Sequence, residues 1–598
     1  MKLWKRAGPV ALSLALCAGL VLPALAHTVT IDGQTDTVAT VQAGVDKIEA
    51  STSQSGTITM DRDDPVTEDG VKISGGNVTL DLNGHSITNG DRHGSAITVE
   101  GGGLTLQDSS EDKSGKVEAT GGHGSGVYVS GGTANILGGK VEATGETGQG
   151  VYVADGGTAN ISGGKVEATG DYGKGVYVDD GTANISGGKV EATHELGDGV
   201  DVAGSGSKAT ITGGTVNSNG YGVSVSYGGE ATISGTATVT GDVIGVDVST
   251  GGEATISGGA NISGNTIGVY VRDGEATISG TATVTGKSFG LSVSDGGTAE
   301  IRGGKVEATG EHGEGVSVDN GTVKILGGKV EASGNGVYVS NGGTAEIKGG
   351  KVEVTGRYGS GVHVLDGTAN ILGGEVKATG EDGNGVFMES VVGDAANAII
   401  SGGTVSGNGT GVNMGPGCTA EISDDATVSG ETGVHMYDGT FTMNGGTVGS
   451  TVKDGAAVDG TGTITLKGGT IYGSVPDRVD ISNVTVKAAP YVPPTPGPDP
   501  ASDPLTRPAA ARTLLEELFR RAGGSGDLWT WAVENGLIDE DGDGDEIVTV
   551  ALLRSILTRY AQAFGGNAVA VEDLTTLTGE DTDIVGSCRA VLNEFFGE

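Results

Sequence analysis

The feature that most constrains this chain is a repeat of about 24 residues, which runs from about Lys116 to Val475. One copy, residues 126–144, reads GVYVSGGTANILGGKVEAT and holds three short runs of alternating apolar and polar residues separated by glycine. Side chains of a strand alternate between two faces, so each run predicts a strand with one small apolar face. A propeller blade needs four strands and about 40 residues. The repeat therefore predicts an all-β fold, a three-stranded parallel β-helix with one coil per copy.

Stacking of the coils sets the dimensions and the stability of this β-helix. Neighbouring strands lie about 4.8 Å apart, so roughly sixteen coils form a rod of about 75 Å. Crossovers between parallel strands are right-handed, which predicts a right-handed helix. One coil cannot bury its own apolar face, so adjacent coils must supply the stability. The composition agrees, because 116 of 598 residues are glycine and 4% are aromatic, too few for a thick globular core.

The N-terminus has the pattern of a secretory signal peptide over residues 1–26. Basic residues in 2–6 precede an apolar segment from Val10 to Leu22, and an A-x-A cleavage motif follows at 24–26. About 13 apolar residues are too few to span a bilayer. We therefore expect a secreted or cell-surface protein without a membrane span after cleavage.

Composition divides the remaining chain into four parts. Residues 27–75 form a lead-in whose segment TVATVQAGVDKIEAS predicts a short helix over the open end of the rod, where strand edges need a cover. Residues 76–487 form the β-helix. Residues 488–505 are rich in proline, which cannot donate to a sheet ladder, and predict an extended linker. Residues 506–598 carry apolar residues at helical spacing and predict a small α-helical C-terminal domain.

Two segments near the start of the rod carry a family resemblance. NVTLDLNGHSIT at 77–88 and AITVEGGGLTLQDSS at 96–110 resemble the opening coils of the pectin-lyase-like superfamily. The resemblance covers about residues 70–480. It implies a right-handed parallel β-helix of the kind found in many secreted or surface bacterial proteins, and the superfamily includes polysaccharide lyases and hydrolases.

The first of these segments contains Asp81, Asn83 and His85, residue types that also occur in catalytic sites. Leu80 and Leu82 are expected to point inward, and Asn-Gly at 83–84 favours a turn. We therefore interpret the three polar residues as parts of a turn.

The C-terminal part resembles the S-layer homology family. Its matching residues are WAVENG at 531–536, Thr549, Leu557 and RYA at 559–561. Modules of that family hold proteins to cell-wall polysaccharide, which implies wall binding through Thr506, Arg507, Trp531 and Arg559. The second copy departs from the pattern, because Val550 stands where arginine is expected and 574–596 barely match. Such modules could instead only pack or dimerise.

Charge and cysteine content exclude several functions. The net charge is −41, whereas binding to nucleic acid requires clusters of Lys and Arg, so we expect no nucleic-acid partner. Only Cys418 and Cys588 remain after signal cleavage, and we expect free thiols. The acidic loop 539–545 lacks the glutamate that an EF-hand needs at its twelfth position, so no metal or other cofactor is predicted.

An enzyme of the resembled superfamily would need particular residues close together. Pectate lyases place Arg or Lys beside calcium-binding carboxylates, but arginines of the rod such as Arg272, Arg302 and Arg357 are single within their copies. Hydrolases of this superfamily need paired aspartates and Gly-His-Gly. The matches at 122–124 and 179–180 fall in turns of different coils, so we keep polysaccharide cleavage only as the alternative to a binding function.

The outward position between the paired valines of the first strand is the best candidate for ligand binding. It holds Tyr128, Tyr152, Tyr177, Tyr270, Tyr338, His363 and Phe387 in different copies. A column of exposed rings would form a flat surface that stacks on sugar rings. The alternative is ordinary cross-strand stabilisation, worth about 0.2 to 1 kcal/mol per pair. The repeated K-x-E of the third strand predicts outward charge ladders on a solvated face.

Together these features predict a non-enzymatic, adhesin-like rod that binds a polysaccharide or a host or cell-wall glycan. A polysaccharide lyase or glycoside hydrolase, and a purely structural surface spacer, are the alternatives.

Overall fold

The computed structural model describes residues 26–67, 70–390, 395–489 and 491. These residues form a parallel β-solenoid of about 17 turns with almost no helix, which confirms the all-β repeat prediction. Nearly all of the signal peptide, most of the linker and the whole region 506–598 lie outside the described residues. The last of these contains the residues assigned to wall binding, namely Thr506, Arg507, Trp531 and Arg559.

Each coil consists of three strands, as the repeat predicts. In the coil that contains Tyr128 they are Ser125–Ser130, Thr133–Ile136 and Lys140–Ala143. Each strand pairs in parallel with its counterpart one repeat later, and identical positions face one another across the ladder. The solenoid therefore has three parallel sheets, which we call the first-strand, second-strand and third-strand sheets.

The first-strand sheet contains Val71–Ile73, Ile97–Val99, Ser125–Ser130, Gln149–Ala154, Lys174–Asp179, Asp198–Ala203, Tyr221–Ser226, Ile244–Ser249, Ile267–Arg272, Phe289–Ser294, Glu314–Asp319, Asn335–Ser340, Ser360–Leu365, Asn384–Glu389 and Thr410–Met414. The second-strand sheet contains Ser55–Thr59, Asn77–Asp81, Gly103–Gln107, Thr133–Ile136, Thr158–Ile161, Thr182–Ile185, Lys208–Ile211, Glu230–Ile233, Glu253–Ile256, Glu275–Ile278, Thr298–Ile301, Thr322–Ile325, Thr344–Ile347 and Thr419–Ile422. The third-strand sheet contains Asp64–Val66, Ser86–Asn89, Lys116–Ala119, Lys140–Ala143, Lys165–Ala168, Lys189–Ala192, Thr215–Ser218, Thr238–Gly241, Asn261–Gly264, Thr283–Gly286, Lys305–Ala308, Lys329–Ala332, Lys351–Val354, Thr427–Gly430, Thr447–Ser450, Thr470–Tyr472 and Thr485–Lys487. Four longer strands pass from one sheet to the next, namely Thr368–Ala378, Asn397–Gly407, Thr432–Met443 and Val458–Leu466.

The N-terminal lead-in closes one end of the rod. His27–Ile31 and Gln34–Val38 form an antiparallel hairpin, and the first of these strands also pairs antiparallel with Ser55–Thr59. Helix α1 spans Val41–Ala50. Thr40 caps its N-terminus, because its hydroxyl accepts a hydrogen bond from the Ala43 amide. Val41, Val45 and Ile48 of the helix are buried, so the helix and the hairpin cover the first coil. This cover protects the end of the solenoid from pairing with another chain.

The interior of the rod is a column of small apolar side chains. Val127, Val129, Ala134 and Ile136 are fully buried, and the equivalent residues of the other coils are buried as well. Towards the C-terminal end methionines and Phe441 take these positions. The core is continuous through the coils because each coil covers the apolar face of its neighbours.

The polar segment at the start of the rod forms the turn that its Asn-Gly pair predicts. Leu80 and Leu82 are buried, and Asn83 and Gly84 both have positive φ. Asp81 is itself buried, and its Oδ1 accepts hydrogen bonds from the backbone N–H of Asn83 at 3.1 Å and of Ser109 at 2.9 Å. Its carboxylate therefore holds two turns together.

Candidate functional site

Two columns of side chains along the first-strand sheet hold the candidate residues. Successive strands pair in one register, as Ser125 with Gln149 and Val127 with Val151, so equivalent residues of the coils lie next to one another along the rod. We call the first the edge column; it holds Ser125, Gln149, Lys174, Asp198, Tyr221, Ile244, Ile267, Phe289, Glu314, Asn335, Ser360 and Asn384. We call the second the ring column; it holds Tyr128, Tyr152, Tyr177, Asp201, Ser224, Asp247, Tyr270, Ser292, Ser317, Tyr338, His363 and Phe387.

Three tyrosines open the ring column and stack on one another. The ring centroids of Tyr128 and Tyr152 are 4.9 Å apart, and those of Tyr152 and Tyr177 are 5.1 Å apart, with planes inclined by 23° and 18°. Parallel strands in register impose this spacing, because adjacent coils are about 4.8 Å apart. Burial, together with the Asp179 carboxylate, raises the pKa of Tyr152 to about 12.

This stack differs from the flat platform that the sequence suggests. The rings are partly buried and their faces cover one another, so the side that solvent meets is a row of ring edges and hydroxyl groups. The Lys174 ammonium lies 4.1 Å from the ring centroid of Tyr177. The stack can therefore present hydroxyl groups in series rather than open ring faces.

The other predicted rings lie in the same column but in separate groups. Tyr338 and His363 have centroids 5.0 Å apart, and His363 and Phe387 have centroids 4.9 Å apart. Burial lowers the pKa of His363 to about 4, so the imidazole is neutral at physiological pH. Tyr270 stands apart, and its hydroxyl lies 3.0 Å from that of Ser294.

An acidic segment, which the repeat pattern did not predict, separates the two aromatic groups. Asp201 and Asp247 stand in the ring column where other coils have aromatic rings. Asp198, on the same strand as Asp201, lies in the edge column. Burial, followed by the nearby Asp201 carboxylate, raises the pKa of Asp198 to about 7. Asp201 forms an ion pair with Lys174. The signal in the sequence was aspartate at a position where earlier copies have tyrosine.

Motifs that a hydrolase would use are not brought together. His123 of Gly122–Gly124 stacks on His93 with centroids 4.8 Å apart, and its Nδ1 lies 2.6 Å from the Thr147 hydroxyl. Asp179 ends a first-strand segment two coils further on. These residues build turns.

The third-strand sheet carries the predicted charge ladder. Lys140 Nζ lies 2.9 Å from Glu142 Oε2 and 2.7 Å from Glu167 Oε2, so it bridges its own coil and the next. The same pattern recurs from Lys116 to Glu191 and from Lys305 to Glu375. Glu142 and Glu167 are 8% and 7% exposed, which makes this part less solvated than the sequence suggests.

The second-strand sheet is also paired within itself. The Asn160 side chain donates to Asn135 at 2.8 Å, and Asn184 donates to Asn160 at 2.9 Å. These amides stack in register along the rod, as in other asparagine ladders. Part of each of these two faces thus bonds to its own neighbours along the rod.

Among the described residues no group of three or more His, Cys, Asp or Glu side chains is arranged to hold a metal ion. The described part of the chain also holds no helix with the length and hydropathy of a membrane span.

Comparison with protein families finds one match. Residues 198–352 match the family model described as a right handed beta helix region. This match and the parallel coils identify a β-helix repeat protein, a fold that is consistent with a surface or carbohydrate-related role. Comparisons with curated proteins and with solved structures find no significant match.

Proposed function

We propose that this protein is a non-enzymatic, secreted or cell-surface solenoid, adhesin-like in role, that binds a polysaccharide along its first-strand face. The observation that carries the proposal is the concentration of partly buried aromatic and titratable side chains in the edge and ring columns. Groups whose pKa is shifted by burial cluster at binding sites more often than elsewhere. On the other two sheets, asparagine and Lys/Glu side chains form ladders with their own neighbours.

The chemistry of the ring column suits a sugar polymer. A tyrosine offers an apolar ring and a hydroxyl group that both donates and accepts. Repetition of the same group along the rod allows a polymer to engage several sites at once, which raises its affinity without new kinds of contact. A net charge of −41 repels anionic polymers, so neutral glycans are the expected ligands.

The test compares glycan binding by the mature chain, residues 27–598, with that of a variant in which Tyr128, Tyr152 and Tyr177 are all phenylalanine. The variant keeps the ring stack and removes only the hydroxyl groups. The matched control replaces Tyr172 and Tyr358, which lie in turns and are 51% and 69% exposed. We expect a glycan array to show selective binding that the triple variant loses and the control retains.

Equal binding by the triple variant and the control would refute the role of the tyrosine stack. Absence of binding by the wild-type chain would refute the proposal and favour a structural spacer.

Polysaccharide cleavage is a second candidate, and one observation favours it. Burial raises the pKa of Asp198 to about 7, and Asp198 lies close to Asp201, whose carboxylate forms an ion pair with Lys174. Such pairs serve as acid and base in glycoside hydrolysis. Release of reducing ends, or of unsaturated uronate detected by ultraviolet absorption, that is lost in Asp198→Asn would establish catalysis. If neither product is released from any glycan that binds, catalysis is refuted and the protein only binds.

Attachment to the cell wall belongs to the same proposal and rests on the resemblance of residues 506–598 to S-layer homology modules. The predicted contacts are Thr506, Arg507, Trp531 and Arg559. The mature chain should sediment with purified cell-wall polysaccharide, and Trp531→Ala with Arg559→Ala should abolish this. Unchanged sedimentation would refute wall binding through these residues.

A further inference from the structure

A cavity of about 250 Å³ opens at the border of the first-strand face. It forms where the length of the preceding turn changes. The aligned residues Val269 and Leu291 are 22 positions apart, whereas Leu291 and Val316 are 25 positions apart. The longer turn, which contains His312, lies beside the shorter one, which contains Lys287, and residues of both line the cavity.

Side chains of different chemistry meet in this cavity. Phe289 and Glu314 are register partners in the edge column and line its floor. Lys287, Ser288 and His312 line it from the turns. Phe289 is partly exposed, so its ring is accessible to a ligand.

Glu314 has an unused hydrogen-bonding atom. Its Oε1 accepts a long hydrogen bond of 3.5 Å from the Asn335 side chain. Its Oε2 is buried and has no hydrogen-bond partner within the part of the chain that the structure describes. A buried polar atom without a partner costs free energy, so such atoms normally have a partner or contact a ligand or water. Burial raises the pKa of Glu314, and the nearby Ser317 and Asn335 side chains act in the opposite direction.

We propose that this cavity is a subsite that holds one neutral sugar ring of the bound polysaccharide, with Phe289 packing on the ring and Glu314 Oε2 accepting one of its hydroxyl groups. This inference rests on the proposed function and names the place where specificity is determined. A single sugar ring offers C–H groups to Phe289 and hydroxyl donors to Glu314 at the same time.

Other ligand classes fit the cavity less well. A uronate would gain an ion pair with Lys287, but its carboxylate would also face the Glu314 carboxyl group in a chain of net charge −41. An ammonium group would meet the Lys287 side chain. A purely apolar ligand would leave Glu314 Oε2 buried without a partner. A neutral ring with several hydroxyl groups satisfies all three conditions.

A strand beside the cavity carries part of the ring column. Asn335, which contacts Glu314, begins the strand that carries Tyr338, and Tyr338 starts the group with His363 and Phe387. A glycan that places one ring in the cavity can therefore extend along this aromatic group.

The experiment measures binding of the mature chain to cellohexaose, mannohexaose, chitohexaose and oligogalacturonate by calorimetry. Glu314→Gln preserves shape but removes the carboxylate, and Phe289→Leu removes the ring while retaining an apolar side chain. Glu275→Gln is the matched control, because Glu275 is exposed on the second-strand sheet. We expect a neutral oligosaccharide to bind, and each cavity variant to weaken it roughly tenfold or more, with the control unchanged.

The outcomes separate this inference from the proposed function. If the wild-type chain binds and the tyrosine variant loses binding, but Glu314→Gln and Phe289→Leu keep their affinity, the cavity inference fails and the proposed function stands. Preferred binding of oligogalacturonate would overturn the assignment of a neutral ring. If no glycan binds the wild-type chain, both fail.

Discussion

Replacement of Lys140 by methionine tests the charge ladder of the third-strand sheet. Lys140 Nζ bridges Glu142 and Glu167, whose side chains are only 10% and 9% exposed, while the lysine side chain is 33% exposed. Methionine retains an apolar stem that packs along the sheet and removes the charge. The substitution therefore leaves two nearly buried carboxylates facing each other on adjacent coils.

The expected loss of stability in Lys140→Met follows from the exposure and the remaining partners of these side chains. Removal of one partner from a fully buried ion pair costs about 3–5 kcal/mol. Here the lysine is one-third exposed, and each carboxylate keeps a second lysine, since Lys165 lies 3.0 Å from Glu167 and Lys116 lies 3.4 Å from Glu142. We therefore expect a loss of about 2 kcal/mol in local stability.

Hydrogen exchange is the appropriate assay, because coils of a solenoid open locally and depend on their nearest neighbours. Amides of Lys140–Ala143 and Lys165–Ala168 should lose protection by roughly thirtyfold. The matched control is Lys208→Met, whose pair with Glu230 spans 2.7 Å between side chains that are 54% and 50% exposed. That pair should contribute about 0.5 kcal/mol or less.

An effect of Lys140→Met no larger than that of the control would refute this reasoning. A second check adds Glu142→Gln and Glu167→Gln to Lys140→Met. Because removing all the charges of a buried network costs less than removing one, this triple variant should recover most of the lost protection.

The same ladder predicts the response to acid. Burial works to raise the pKa of Glu167, but hydrogen bonds and charges of Lys140 and Lys165 outweigh it, and the pKa lies below its usual 4.5. The unfolded chain then takes up this proton at a higher pH than the folded chain does. The stabilisation is complete above pH 4.5 and is lost as the pH falls through the folded pKa. Lys140→Met removes one of the two lysines that lower this pKa, so the variant should lose less thermal stability than the wild-type chain as the pH falls below 4.5, and the difference between their melting temperatures should shrink.

Two further predictions concern the backbone of the turns. Gly170→Ala should destabilise its coil by about 3 kcal/mol, because an added Cβ would lie 1.7 Å from the Gly145 carbonyl oxygen. Gly75→Ala is the control, because an added Cβ there meets nothing within 4 Å, and it should have little effect in thermal melts. Thr250→Gly should raise the melting temperature and stabilise by about 1 kcal/mol, because Thr250 holds φ of 50°, a left-handed conformation that disfavours β-branched residues. A melting temperature that falls in Thr250→Gly, or equal effects of the two alanines, would contradict these arguments.

Much of the candidate site can be predicted from the sequence because the coils stack in register. Once the repeat is aligned, Tyr128, Tyr152 and Tyr177 must be neighbours, and the structure places their rings about one coil spacing apart. The same alignment predicts that Lys140 contacts glutamates of two coils. Both are consequences of nearest-neighbour geometry, which the repeat length alone specifies.

What the alignment could not predict depends on how side chains and turns pack. Asp198 and Glu314 are ordinary acidic residues in the repeat, and they are distinguished only by burial. Burial of Glu314 depends on the lengths of two adjacent turns, which place His312 and Lys287 beside it.

The sequence by itself thus determined the coil, its three strands and the columns in which residues meet, because alternation and repeat length act locally and every coil repeats them. Only the tertiary structure decided that the tyrosine rings cover one another's faces, that Glu142 and Glu167 are nearly buried, and that a cavity opens beside Phe289. These features depend on rotamers and on differences between neighbouring coils. Such differences have no period, so a repeat pattern does not contain them.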